Sequence, residues 1–235
     1  MSGTAVIIGA SGSIGRAMAD ALEEEGSFTQ VLRLSRSDDG PAYIDITDEA
    51  SVKAAAAFVQ SKLGNRPLSL IFVATGLLHD HEKGPEKANS QIDPAWMLRN
   101  FAVNTVGPAL VAKHFLPLLP RDDRAIFAAL SARVGSISDN RLGGWHSYRA
   151  AKAALNQIIR TMAIELARTH KRAICVGLHP GTVDSHLSQP FQANVAPGQL
   201  FSPDRAAVQL LDVLDGLKPS DTGSCFAWDG AEITP

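Results

Sequence analysis

Short runs of apolar, largely β-branched residues alternate with segments of helical periodicity along the whole chain, and this alternation constrains the fold more than any other feature. The runs Thr4–Ile8, Val31–Leu34, Leu68–Ala74, Ala125–Leu130, Ala173–Leu178 and Gly223–Trp228 read as strands, the continuous ones as strands buried on both faces. Between the first two, Ile14, Ala17, Met18, Ala21 and Leu22 recur at helical spacing until Gly26. Thr47 is placed to cap a helix through Lys62, and Asp93-Pro94 opens a helical pattern reaching about Phe115. Ser147 to Ala167 is the longest such pattern, and Ser202-Pro203 starts a last one that Gly216 ends. This order predicts an α/β fold, a doubly wound parallel sheet flanked by helices on both faces. With no repeat, low-complexity tract or dividing linker, residues 1–235 read as a single domain.

Composition removes several classes of function. The 22 Lys+Arg against 24 Asp+Glu leave a net charge of −2, which gives no electrostatic reason to expect nucleic acid or an anionic membrane as partner. Cys175 and Cys225 are too few for a disulfide framework or a four-ligand metal site, and both sit in apolar runs, as buried free thiols do. The amino terminus lacks the basic and long apolar regions of a signal peptide, and no apolar run is long enough for a membrane span. The expectation is a cytoplasmic protein with neither nucleic-acid nor membrane partners.

In a parallel sheet of this kind the ligand crevice lies outside the carboxyl ends of the strands. There the first run is followed by Gly9-Ala10-Ser11-Gly12-Ser13-Ile14-Gly15, which opens a helix. Glycines allow close backbone approach, and the helix amino terminus offers free N–H groups to a pyrophosphate. The turn in this context predicts a Rossmann-type, NAD(P)-binding domain. After the second strand, where NAD-type folds place an acidic residue, stand Ser35-Arg36-Ser37. A guanidinium and hydroxyls suit a 2′-phosphate, favouring NADP; if Arg36 is merely solvated and Asp38 or Asp39 reaches the ribose, NAD remains open. Tyr148 and Lys152 are four residues apart and share a helix face, so an ammonium near a phenol would favour phenolate and allow proton exchange.

With these motifs in hand, the chain resembles the single-domain short-chain dehydrogenases/reductases along essentially its whole length. The matching pieces are Gly9 to Gly15, Asp45-Ile46, Ala74-Thr75-Gly76, Asn104 to Gly107, Ser131, Tyr148-x-x-x-Lys152 and Pro180-Gly181-Thr182-Val183. Gly135-Ser136-Ile137 and Trp228-Asp229-Gly230 resemble the branch containing the C-factor-like and sniffer-like proteins. The resemblance implies an NADP(H)-dependent oxidoreductase acting on a small-molecule carbonyl or alcohol, with Tyr148 as general acid or base and Lys152 holding the nicotinamide ribose. It implies that Ser131 binds the substrate oxygen and that Asn104 holds a relay water. Asp45 and Ile46 would contact adenine, Ala74 to Gly76 the adenosine ribose, and Pro180 to Val183 the nicotinamide. No metal is implied. Pairing of the 107–119 segment and the Tyr148 helix into a homodimer or homotetramer is also implied, although core packing gives the same apolar pattern.

The chain departs from the family in places. Its glycines are spaced Gly-x-x-Gly-x-x-Gly, Thr75 replaces the usual Asn or Ala, and alignment on Gly135 puts Ala132 where the family's catalytic serine stands. Ser131 is the favoured replacement and Ser136 its rival. Leu187, Phe191 and Phe201 are candidates for an apolar lid, against ordinary surface packing, while Trp145 and His146 are placed to line the pocket mouth. His79-Asp80-His81-Glu82 has metal-like spacing but reads as a solvated loop. The competing functions are a regulatory nucleotide-binding protein of the C-factor type with little turnover, and an epimerase or dehydratase.

Overall fold

The structure is a computed structural model describing residues 3–235. Met1 and Ser2, which begin the segment read against a signal peptide, lie outside the described residues. Strand β1 (Thr4–Ile8), helix α1 (Ser13–Glu25), β2 (Gln30–Leu34), α2 (Glu49–Leu63) and β3 (Leu68–Val73) form the first half. They are followed by α3 (Pro94–Phe101), α4 (Gly107–Phe115), β4 (Ala125–Leu130), α5 (His146–Leu166) and β5 (Ala173–His179). The chain closes with the two-residue strands β6 (Thr182–Val183) and β7 (Leu200–Phe201), then α6 (Pro203–Gly216) and β8 (Cys225–Ala227).

Six strands make one parallel sheet in the order β2-β1-β3-β4-β5-β8. After β2 the chain crosses back over β1, so the winding reverses between β1 and β3 and opens a crevice at their carboxyl ends. Alternate residues of each strand enter two cores. Val6, Ile8, Ile71, Val73, Phe127 and Cys175 face α2, α4 and α5, while Ala5, Ile7, Phe72, Ile126, Ile174 and Val176 face α1 and α6. Burial on both faces explains why these strands read as continuous apolar runs rather than alternating ones.

Several local expectations are corrected. Asp48, not Thr47, caps α2, accepting from the Ala50 N–H, because Thr47 already donates both its N–H and its hydroxyl to Asp45. The helical pattern from Asp93 to Phe115 is interrupted by a π-helical stretch over 102–106. Pro108 has no N–H to return to the carbonyl four residues back, that of Asn104, and such a gap widens the helix. The segment after Gly181 is not all loop: Thr182 and Val183 pair with Leu200 and Phe201 in a parallel ribbon.

The first turn depends on a close approach. Gly9 has φ +85°, and a Cβ on Gly15 would stand 2.3 Å from the Gly9 carbonyl oxygen. Gly15→Ala is therefore expected to cost about 1–3 kcal/mol of stability, whereas Gly216→Ala, with open space around it, changes stability by less than about 0.5 kcal/mol. Urea denaturation of the two variants measures this, and equal effects would contradict the close approach.

Candidate active site

At the carboxyl end of β1, Gly12 is the N-cap of α1 and offers no side chain to it. The Arg16 N–H takes the Gly12 carbonyl, so the N–H groups of Ser13, Ile14 and Gly15 have no helical acceptor. Across the crevice, a Cβ on Gly9 would lie 3.1 Å from Ala74 and from the Thr75 methyl, while the Thr75 hydroxyl is buried without a hydrogen-bond partner among the described residues. A cradle with open N–H donors, no Cβ and an orphaned hydroxyl fits a dinucleotide phosphate and ribose.

At the edge of this crevice Arg36 is exposed and forms no ion pair among the described residues, whereas Arg33 is held by Asp20 and Glu23. Asp38 turns back to accept from the Gly40 N–H, and the Ser35 and Ser37 hydroxyls are 2.9 Å apart. Burial of Asp45 works to raise its carboxyl pKa, but hydrogen bonds from Thr47 and the field of Arg36 outweigh it and hold the group below its ordinary value. Ile46 follows Asp45 in the chain. Its side chain is buried and packs where a Cβ on Gly107 would collide with it.

Helix α5 brings Tyr148 and Lys152 to the carboxyl end of β4. Both are buried, and the Lys152 ammonium donates to the Leu130 carbonyl at 2.8 Å. It stands 5.7 Å from the centroid of the Tyr148 ring. Burial pushes Lys152 down to about 8 and pushes the Tyr148 phenol above its ordinary value. Burial of the phenol therefore works against the expected acidification, and the ammonium is turned to a backbone carbonyl.

Asn104, fully buried in the π-helical stretch, accepts the Leu77 N–H and donates to the Leu77 carbonyl. Its side chain fixes the chain just beyond Gly76. Thr105 donates to the Ala151 carbonyl and ties the same stretch to α5. Gly181 has φ +77° and passes over Phe201 and Trp228, so Pro180 to Val183 border the crevice on the β5 side.

The Ser131 hydroxyl donates to Asn156 at 2.6 Å, two turns beyond Tyr148 on α5. The next residue, Ala132, turns the other way and packs with Leu78 and Tyr148. Ser136 is committed as well, accepting from the Asp139 N–H. Val134, Trp145, Leu187 and Phe191 pack against the apolar cluster of Leu78, Ala132 and Tyr148. Phe201 belongs elsewhere: it is buried and packed edge-on against Trp228 at 4.8 Å. In the His79–Glu82 segment, His79 bonds the His186 carbonyl, and Asp80 is taken by the Glu82 and Lys83 N–H groups and by Arg99. His146 bonds Asn89 rather than entering the pocket wall. A buried carboxyl group at Glu86, which no sequence motif marked, lies at the start of α5 and accepts from Ser147.

The chain is similar to several known proteins. The C-signal of Myxococcus xanthus is 34% identical over 146 residues, which cover 62% of this chain and 82% of that protein. The 1-hydroxy-2-glutathionyl-2-methyl-3-butene dehydrogenase of Rhodococcus sp. (strain AD45) is 28% identical over 97% of both chains. The NADPH-bound carbonyl reductase from chicken fatty liver superposes with a TM-score of 0.85 at 24% identity, over 99% of this chain and 94% of that one, a likeness of fold. The short chain dehydrogenase family profile matches residues 3–196, and the chain therefore belongs to the short-chain dehydrogenase/reductase family, whose members are oxidoreductases on a Rossmann-type fold.

Proposed function

We propose that this protein is an NADPH-dependent reductase of apolar carbonyl compounds. The observation that carries the reading is the placement of Tyr148 and Lys152, both buried, at the carboxyl end of β4 beside a glycine cradle open to phosphate. When bound, the dinucleotide supplies the hydride that reduces the carbonyl carbon. The chain supplies position and the proton. Ser13, Ile14 and Gly15 would hold the pyrophosphate by their N–H groups, with Gly9, Ser11 and Gly12 shaping the turn. Thr75 and its neighbours Ala74 and Gly76 would meet the ribose, and Pro180 to Val183 the nicotinamide. Ser35 and Arg36 would take the 2′-phosphate, since Arg36 is an exposed guanidinium at that edge that forms no ion pair among the described residues.

Tyr148 acts as the general acid. Its phenol, protonated at neutral pH as any tyrosine is, can donate to a carbonyl oxygen, which is the proton the reductive direction requires. Lys152 would hold the ribose from beneath. Because the two ends of the Asn104 amide are taken by Leu77, a relay water would rest on the Asn104 main-chain carbonyl. The wall of Leu78, Ala132, Val134, Trp145, Leu187 and Phe191 selects an apolar substrate. Self-association through the groove lined by Ala109, Leu116, Ile158 and Met162 belongs to the same proposal.

Oxidation of NADPH, followed at the nicotinamide absorbance with a panel of aldehydes, ketones and quinones, tests the reading; tight NADPH binding without turnover of any of them would overturn it. Tyr148→Phe is expected to lower kcat by about 100- to 10,000-fold while NADPH binding is retained. Ser131→Ala, which removes a hydroxyl bonded to Asn156, should change kcat by less than about 10-fold. Ala132→Ser, which adds a donor beside Tyr148, should raise it on unactivated ketones by about 10-fold or more. A loss in Ser131→Ala as large as in Tyr148→Phe would return Ser131 to the catalytic group. Arg36→Ala should weaken NADPH by about 10- to 100-fold and leave NADH nearly unchanged, as titration of cofactor fluorescence would measure. Equal losses for the two cofactors would contradict the role of Arg36.

A further inference from the structure

The catalytic helix begins in an unusual way. Its N-cap position is Trp145, held in the left-handed conformation at φ 52°, and no side chain of the local sequence caps the first turn. A helix start buried in this way leaves N–H groups that need acceptors. They are found on Glu86, in the loop between β3 and α3 and 61 residues from Ser147 in sequence. Glu86 is only 4% exposed and Ser147 is fully buried. One carboxyl oxygen accepts the Ser147 N–H at 3.1 Å, and the other accepts the Ser147 hydroxyl in a short hydrogen bond. The Glu86 main-chain carbonyl accepts the Trp145 N–H. One residue thus supplies acceptors to the two residues flanking His146, and His146 itself is bonded to Asn89 of the same loop at 2.7 Å.

We infer that Glu86 is a positioning residue for the reaction: it caps α5 from another part of the chain and thereby fixes Tyr148 and Trp145 at the pocket. The inference rests on the reductase reading for its kinetic consequence, but its structural part stands alone. Tyr148 immediately follows Ser147, so a first turn that frays carries the phenol with it. Trp145 contacts both Tyr148, with ring centroids 6.3 Å apart, and Phe191, at 5.0 Å. Its left-handed backbone, strained for a non-glycine residue, places the indole between them and is held by the bond to Glu86. A carboxyl group is favoured here because the amino end of a helix carries partial positive charge.

The test compares Glu86→Ala, Glu86→Gln and Ser147→Ala with wild type. Glu86→Ala is expected to lower kcat by about 10- to 100-fold through displacement of the phenol, while the Kd for NADPH stays within about 2-fold, because the cradle lies on α1. Glu86→Gln keeps an acceptor oxygen and lets the Ser147 hydroxyl reverse, so it should recover most of the lost rate. Hydrogen exchange of the 146–150 amides, measured without any substrate, should accelerate in Glu86→Ala and to a smaller degree in Ser147→Ala, with the β-sheet amides unchanged. Should Glu86→Ala fail to fold, Ser147→Ala carries the same comparison, because it removes only the side-chain partner. Wild-type exchange at 146–150 in these variants, or kcat unchanged in Glu86→Ala, would overturn the inference. So would a loss of NADPH affinity as large as the loss of kcat. A wild-type protein that turns over no carbonyl would overturn the reductase reading and leave the exchange experiment to decide the cap.

Discussion

The burial of an ammonium group under the carboxyl edge of the sheet is the constraint on which the site depends. Taking the Lys152 charge out of water costs free energy, as its lowered pKa records, and the Leu130 carbonyl offsets part of that cost. The bond ties α5 to the last residue of β4 and sets the height at which the residues one turn earlier meet the crevice. The helix must also come very close. A Cβ on Gly135 would stand 2.9 Å from the Lys152 backbone, so only glycine lets the turn after β4 lie against α5. Thr105 bonded to Ala151, and Ser131 bonded to Asn156, pin the same helix from two further sides. Packing of this density holds the side chains of the site in one arrangement.

Function follows from what that anchoring leaves free. The phenol of Tyr148 is buried among apolar neighbours, and that burial raises its pKa above the ordinary value. On the opposite side of the crevice, the first-turn N–H groups of α1 and the hydroxyl of Thr75 have no partner among the described residues. In the proposed reading, these two sides make a site that is polar toward the cofactor and apolar toward the substrate.

The residues that announced the fold did so through spacing that local physics controls. Strands buried on both faces must read as continuous apolar runs, and a phosphate turn must dispense with Cβ atoms at Gly9 and Gly15. Tyr148 and Lys152 were legible because four residues make one helical turn. The direction of a side chain leaving a strand was not legible in this way. Ser131 and Ala132 are adjacent in sequence but face opposite sides, and which of them meets Tyr148 depends on where β4 ends. Glu86 was invisible because its partner is far away along the chain, whereas the break around Asn104 had a visible cause in Pro108. Asp48 displaced Thr47 as a cap because Asp45 competes for the threonine, a local contest that residue preferences alone do not resolve.

The most direct test of the account is a crystal structure with NADPH and a carbonyl inhibitor bound. The account predicts the pyrophosphate at the amino end of α1, the 2′-phosphate beside Arg36, and the inhibitor oxygen within hydrogen-bond reach of Tyr148, over the nicotinamide. A complex that turns the Tyr148 hydroxyl away from the nicotinamide, or leaves the cradle of Gly9 to Gly15 without phosphate, would contradict it.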